Sequence, residues 1–223
     1  KMSINFDKYP IKKKVRHHIS GHNYMPVDYL KVVPNDYPPL VKNVDWDNIY
    51  YNSKPPDELD IGCGKGVFLL QMAEKYPEKN FLGIEIRGAL TEWTNDVAEN
   101  EGLGNCHALR YSVANGLPFI KDGSIDNIYY LFPDPWPKRR HQKRRAFNMN
   151  FLDECYKKLK KGGRLYLATD VDYVHEYQMD ILKKFEKFDI KQLSEKEWNF
   201  PATKKEKFCF GKNIFVYRSV CLK

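Results

Sequence analysis

Paired cysteines are missing from this chain. Its five cysteines, Cys63, Cys106, Cys155, Cys209 and Cys221, are odd in number and none stands in a Cys-x-x-Cys pair. That excludes a disulfide framework and a zinc ribbon and predicts reduced thiols in a cytoplasmic protein. His17, His18 and His22 lack cysteine partners at zinc spacing, so no metal site is expected. No apolar run of about eighteen residues occurs, which excludes a membrane-spanning helix. The first residues are charged and carry no signal-like apolar core. Internal repeats and low-complexity tracts are also absent, which argues against solenoids and disordered polar chains. Acidic residues are in the minority, 29 against 37 lysines and arginines, for a net charge of +8. The excess favours an anionic partner, nucleic acid before an acidic membrane surface. An aromatic content of 14% weighs against a merely solvated basic tail.

What is present suits one sizeable domain with a small appendage: 223 residues bury roughly 70–75% of the unfolded surface without staples. Residues 1–45 read as a basic N-terminal arm. They hold Lys12, Lys13, Lys14 and Arg16 beside His17 and His18, then prolines at 26, 34, 38 and 39, with no clean helical or strand period. Residues 46–223 alternate regularly. Strands are expected at 58–61, 80–86, 106–112, 124–132, 164–169 and 214–221, and helices at 67–75, 91–101, 147–159 and 173–185, with Gly162-Gly163 as a turn between helix and strand. Such alternation predicts an α/β, Rossmann-like fold with a mostly parallel sheet and helices on both faces. Ligands then bind beyond the carboxyl ends of the strands.

Gly62-Cys63-Gly64-Lys65-Gly66 stands between the first strand and the first helix, the context a nucleotide loop requires. The third glycine arrives one residue too early for a dinucleotide fingerprint, and no Gly-Lys-Ser/Thr follows for a phosphate loop. Asp60 repels a pyrophosphate and suits a cation. Glu85, ending the second strand, can accept both hydroxyls of a ribose. An adenosine with a positive charge and no phosphate is S-adenosylmethionine. The plainer alternative is a tight turn with a solvent-facing Asp60.

The densest segment runs from Tyr129 to His141. An apolar strand ends at Asp134, held between Pro133 and Pro135, with Trp136 and a basic run behind it. The prolines restrict φ and preorganise the carboxylate at the carboxyl edge of the sheet. Lys138, Arg139, Arg140, Lys143, Arg144 and Arg145 put six cations within eight residues, a candidate grip on RNA phosphates; the alternative is a solvated helical turn. His141 belongs to this run and reads as a phosphate or solvent contact rather than a base.

Taken together, Leu59-Asp60-Ile61-Gly62-Cys63-Gly64-Lys65-Gly66, Leu82-Gly83-Ile84-Glu85-Ile86-Arg87, Leu131-Phe132-Pro133-Asp134-Pro135-Trp136-Pro137-Lys138, Ala168-Thr169-Asp170 and Thr203-Lys204-Lys205-Glu206 resemble the tRNA (guanine-N(7)-)-methyltransferases. That resemblance implies a seven-stranded methyltransferase sheet and methylation of a guanine in the variable loop of tRNA. It implies a catalytic aspartate at Asp134 and cofactor contacts at Gly62, Glu85, Arg87, Ser112, Val113 and Leu131, to which the loop itself adds Asp60 and Gly64. RNA contacts are implied at Lys138, Asp170 and the stretch Thr203, Lys204 to Glu206, with Arg139 and Arg140 added by the basic run. Asp60 stands where many members have Glu, and Ser112 where Asp or Asn is common. The stretch after Glu206 is shorter than the family's usual loop. The Trp136-Pro137 version resembles bacterial members more than the eukaryotic ones, which work with a WD-repeat partner. A monomer or homodimer without an obligate partner is therefore expected.

Two competing readings stand beside this one. Asp134-Pro135-Trp136 weakly resembles the motif of enzymes that methylate exocyclic amines, although Pro133 and the basic run fit that motif poorly. A non-catalytic RNA-binding module is the other, against which Asp60, Glu85 and Asp134 are all retained. A dehydrogenase fits worst, because the glycine spacing is wrong.

Overall fold

A computed structural model describes residues 3–11, 15 and 19–223. The basic cluster Lys12–Lys14, Arg16, His17 and His18 lies outside the described residues.

Strands β1 (Glu58–Ile61) and β2 (Phe81–Glu85) are buried at every position, as parallel strands covered on both faces must be. With β3 (Cys106–Arg110), β4 (Ile125–Leu131), β5 (Leu159–Thr169), β6 (Asp189–Gln192) and β7 (Tyr217–Leu222) they form one sheet in the order β3-β2-β1-β4-β5-β7-β6. All pairings are parallel except those of β7 with β5 and β6. The strand order reverses between β1 and β4, the switch point where ligands bind.

Helices α1 (Val67–Lys75) and α2 (Gly88–Asn100) cover one face, where Phe68, Leu70, Val97 and Ala98 meet Phe81 and Tyr129. Helices α3 (Met149–Lys158) and α4 (Asp172–Phe185) cover the other, packing Leu152, Cys155, Leu182 and Phe185 on Leu59, Ile128, Leu165 and Leu167. Alternation along β4 sends Tyr129 to the first core and Ile128 and Tyr130 to the second. The expected α/β sheet with helices on both faces is the fold observed.

One local expectation needs correction, and two elements were not expected. Gly162 and Gly163 do not separate helix from strand. They lie within β5, in a bulge where the register jumps from Ile125–Leu159 to Asn127–Arg164, and Gly162 supplies φ of +80°. Strand β6 carries no strand-like pattern, because its four residues are all exposed at the sheet edge. Helix α5 (Lys204–Gly211) was also unforeseen. It starts at a capping box in which Thr203 Oγ1 accepts from the Glu206 amide and the Glu206 carboxylate accepts from the Thr203 amide.

Described residues before residue 46 pack closely on the sheet domain. Ile4 is buried against α1 and α2, and Trp93 Nε1 donates to the Tyr9 carbonyl at 2.9 Å. Further on, Ser112 Oγ donates to the Asn23 carbonyl, Val27 N to Asn115 Oδ1, and Arg110 Nη2 to the Asp36 carbonyl. These bonds lay residues 23–36 along the carboxyl edge of β3.

Candidate active site

Beyond the carboxyl ends of β1, β2 and β4 lies a cavity of about 150 Å³ that opens to solvent. Of the residues expected to act, Gly62, Glu85, Arg87, Val113, Leu131 and Asp134 all line it. A cleft beside it joins Asp60, Gly62 and Cys63 to Phe132, Thr203 and Lys204.

The glycine loop leaves β1 by a sharp turn in which the Gly62 and Cys63 amides both donate to the Ile84 carbonyl. Gly66, at φ +64°, precedes α1, and a Cβ there would overlap the Thr94 side chain, so neither the backbone nor the packing admits another residue. At Gly62 the situation is reversed: a Cβ would meet open space on the cavity side. The loop is therefore a cradle kept clear of side chains.

Asp60 is buried rather than solvent-facing, which removes the plainer alternative for this loop. Burial, and then the neighbouring charge of Glu85, raise its pKa to about 7. No cation among the described residues offsets that cost, so the site has an electrostatic demand for a positive ligand. Glu85 is held by four hydrogen bonds: from the Gly64 amide (3.0 Å), the Arg87 amide (3.0 Å), Arg87 Nε (2.7 Å) and Arg87 Nη2 (3.0 Å). Gly64 thus serves by fixing Glu85 and does not line the main cavity. Ser112 does not face the cavity either. It is buried and its hydroxyl is committed to the Asn23 carbonyl, because the N-terminal segment covers it.

On the other side, the loop after β4 is pinned at several points. The Phe132 amide extends the sheet ladder to the Ala168 carbonyl at 2.7 Å. Phe132 and Trp136 adopt φ of +51° and +44°, conformations costly for residues with side chains. Asp134, between them, is exposed. Tyr24 reaches over from the N-terminal segment, its hydroxyl 3.5 Å from Asp134 Oδ2 and its ring edge-on to Trp136 at 4.9 Å. Burial and the Asp134 charge push the Tyr24 phenol up to about 12, so it stays protonated. Nothing in the local sequence around Tyr24 marks it as a site residue, because the contact spans 110 positions.

The basic run divides in two. Lys138, Arg140 and Lys143 are exposed. Arg144 and Arg145 turn inward: Arg144 lies over the Trp136 ring at 5.1 Å, and Arg145 donates to the Pro135 and Trp136 carbonyls while its guanidinium covers Tyr177 at 4.6 Å. The last two arginines of the run thus brace the loop after β4, a contact that the run's charge alone did not indicate. The Arg139 side chain lies outside what the structure describes. Trp136 is buried, with Tyr24 and His141 edge-on to it, and wedges the loop rather than presenting an open plane.

Asp170 follows β5 and pairs with Lys205 at 2.8 Å; it does not cap α4, whose N-cap is Val171. Lys204 is exposed at the cleft beside the glycine loop. Glu206 is buried, its second oxygen accepting from Arg218 at 3.4 Å, so Thr203 and Glu206 are tied up in starting α5. No cluster of metal-ligating side chains occurs among the described residues.

The chain has relatives among known proteins. Residues 54–214 match the model of a family described as "Putative methyltransferase". A protein of Thermosynechococcus vestitus named tRNA (guanine-N(7)-)-methyltransferase is 38% identical, the alignment covering 78% of this chain and 83% of that one. A protein of the same name from Microcystis aeruginosa is 36% identical over 79% and 87%, and one from Lactobacillus gasseri 32% over 75% and 77%. Among solved structures, a SAM dependent methyltransferase from Aquifex aeolicus superposes with a TM-score of 0.51 at 15% identity, covering 75% of this chain and 81% of that one. A precorrin-6y C5,15-methyltransferase from Geobacter metallireducens gives 0.53 at 13%, over 74% and 78%; both likenesses concern the fold.

Proposed function

We propose that this chain, which belongs to the tRNA (guanine-N(7)-)-methyltransferase family, transfers the methyl group of S-adenosylmethionine to N7 of a guanine in the variable loop of tRNA. The observation that carries the reading is the single cavity joining Gly62 and Glu85 to Asp134. S-adenosylmethionine supplies an electrophilic methyl group on a sulfonium.

The protein's part is positioning and charge. Asp60 and the open glycine cradle hold the cationic end. Glu85 takes the ribose hydroxyls, for which Arg87 must release part of the carboxylate it now occupies. Val113 and Leu131 supply apolar walls. Guanine N7 already carries a lone pair, so no base removes a proton before attack. Asp134 accepts hydrogen bonds from the N–H edge of the guanine and balances the positive charge that develops on the purine, a preorganised electrostatic role. Lys138, Arg139, Arg140 and Lys204 attract phosphates, and Asp170 with Lys205 fixes the far rim. Thr203 and Glu206 contribute by setting the start of α5.

In this reading residues 1–45 are a basic arm to the methyltransferase domain of residues 46–223. The protein works in the cytoplasm as a monomer or homodimer and requires no obligate partner. No helix among the described residues is long and apolar enough to cross a membrane.

The test is incubation with labelled S-adenosylmethionine and unmodified tRNA, followed by nucleoside identification. Label in 7-methylguanosine, with borohydride-dependent strand cleavage at the modified site, supports the reading. Label in a methylated exocyclic amine selects the competing chemistry, and absence of S-adenosylmethionine binding by calorimetry selects the non-catalytic module.

A further inference from the structure

A second surface of the molecule carries features that the methyl-transfer site leaves unused. At the start of β7, Phe215 is 70% exposed. It stands edge-on to Tyr217 at 4.9 Å, and Tyr217 in turn lies parallel to the His175 imidazole, 11° between planes and 4.3 Å between centroids. The Tyr217 hydroxyl donates to Asp172 Oδ1 at 3.2 Å, which fixes the middle ring. Burial holds the His175 imidazole below the ordinary histidine range, leaving a neutral planar ring at neutral pH.

We propose that Phe215, Tyr217 and His175 form a stacking ladder for unpaired bases of the tRNA next to the target guanine. The proposal rests on the function assigned above and names where the neighbouring nucleotides go. Three observations carry it. The first is position. Tyr217 pairs with Thr169 of β5, and β5 pairs with β4. Because β7 runs antiparallel, its start lies on the same sheet edge as Asp134. Two strand spacings separate β7 from β4, about 10 Å, a span of a few nucleotides. The second is rigidity. Phe215 reaches the surface braced edge-on by Tyr217, which is itself stacked on His175, so a base that stacks on Phe215 orders little else. The third is charge. The segment from Lys204 to Phe215 contains four lysines and one acid, Glu206, which is buried against Arg218. Exposed aromatics among lysines suit a single-stranded polyanion, where stacking tolerates any base. A protein partner would call for an apolar patch depleted in lysine.

The experiment measures tRNA binding by fluorescence anisotropy together with methylation kinetics, for the wild-type chain, Phe215→Ala, Phe215→Trp and the double variant Lys207→Gln/Lys212→Gln. Phe215 is exposed, so its substitution leaves the core intact. Phe215→Ala is expected to raise Kd and KM for tRNA about five- to 100-fold, with S-adenosylmethionine affinity unchanged, and Phe215→Trp to restore them. The lysine variant is expected to flatten the slope of log Kd against log salt by about 1.5. A tRNA carrying 2-aminopurine beside the target guanine should be quenched by the wild type and not by Phe215→Ala.

Unchanged tRNA affinity in Phe215→Ala overturns the ladder. So does a fall in molecular mass by light scattering without a change in Kd, which would assign the patch to contact between copies of the chain. If the wild type forms no 7-methylguanosine yet loses tRNA affinity in Phe215→Ala, the methylation reading fails while the ladder stands.

Discussion

At one end of the cavity, Glu85 is buried, sits two residues from the cation that holds it, and makes four hydrogen bonds. At the other end, Asp134 is exposed on a loop with two positive-φ residues, and its surroundings come from the N-terminal segment, the loop itself and the turn before α3. The cofactor side is thus assembled by short-range chain geometry, two adjacent parallel strands and one tight turn. The RNA side depends on residues far apart in sequence. The first should be rigid without ligand, while the second should respond to substitutions well away from Asp134.

The largest effect that separates the two ends is expected for Asp134→Ala. Removing one preorganised group of this kind lowers kcat on the order of 100-fold, and S-adenosylmethionine affinity should not move, because Asp134 belongs to the RNA side. Single-turnover methylation alongside calorimetry checks both halves of the statement. Near-wild-type turnover, or a loss of cofactor binding equal to the loss of rate, would remove the distinction.

Asp60 offers the next effect, on the cofactor side. Its folded pKa is raised to about 7, above the ordinary value of about 3.9. The sign follows from proton uptake: the folded apo state binds more protons than the unfolded one between those values, so its stability falls as pH rises through them. A cationic ligand favours the charged form. S-adenosylmethionine should therefore bind more tightly as pH rises from 6 to 8, with a limiting slope of about tenfold per pH unit below the pKa. In Asp60→Asn the affinity should be weaker and flat with pH. A slope that persists in Asp60→Asn assigns the titration to another group.

Smaller effects are expected from the exposed half of the basic run. Lys138→Gln with Arg140→Gln should weaken tRNA binding a few-fold near physiological salt and lower the salt slope by about 1.5. Arg145→Gln should behave differently. It loosens the loop by losing the Pro135 and Trp136 carbonyl bonds, so it should lower kcat with little change in salt slope. An equal salt-slope change in both variants would mean that Arg145 also touches phosphate.

The same contrast explains how much was legible beforehand. Gly62 to Gly66, Glu85 and the end of β4 were readable because buried strands, glycines and carboxylates follow one another in the order that a parallel sheet imposes. The orientation of Ser112 was not legible, because sequence position gives the strand end but not the partner, and the partner is Asn23. Strand β6 was invisible, since Asp189–Gln192 is an exposed edge with no alternation. Helix α5 had a usable signal, the spacing of Thr203 and Glu206 that makes a capping box. The basic run showed its charge but not its direction, because facing inward depends on Tyr177 and Trp136 lying nearby.

Tyr24 gives the smallest effect and the finest test of the comparison. Its hydroxyl lies at 3.5 Å from Asp134, the outer limit of a hydrogen bond, so its removal in Tyr24→Phe should change kcat by no more than about threefold. Because the phenol's pKa is raised to about 12, the wild-type rate should show no tyrosine limb up to pH 10, and the Phe variant should trace the same profile. Tyr24→Ala should cost more, about two- to tenfold, because it also deletes the edge contact that braces Trp136. If Phe costs as much as Ala, the hydroxyl rather than the ring does the work and Tyr24 belongs with Asp134 in the chemistry. If neither matters, the loop is braced without Tyr24, Arg144 and Arg145 being among its other contacts. Truncation from the N-terminus cannot make this distinction. It would strip Ile4 from the core before reaching Tyr24, whereas point substitution changes one end of the cavity and leaves the other as it is.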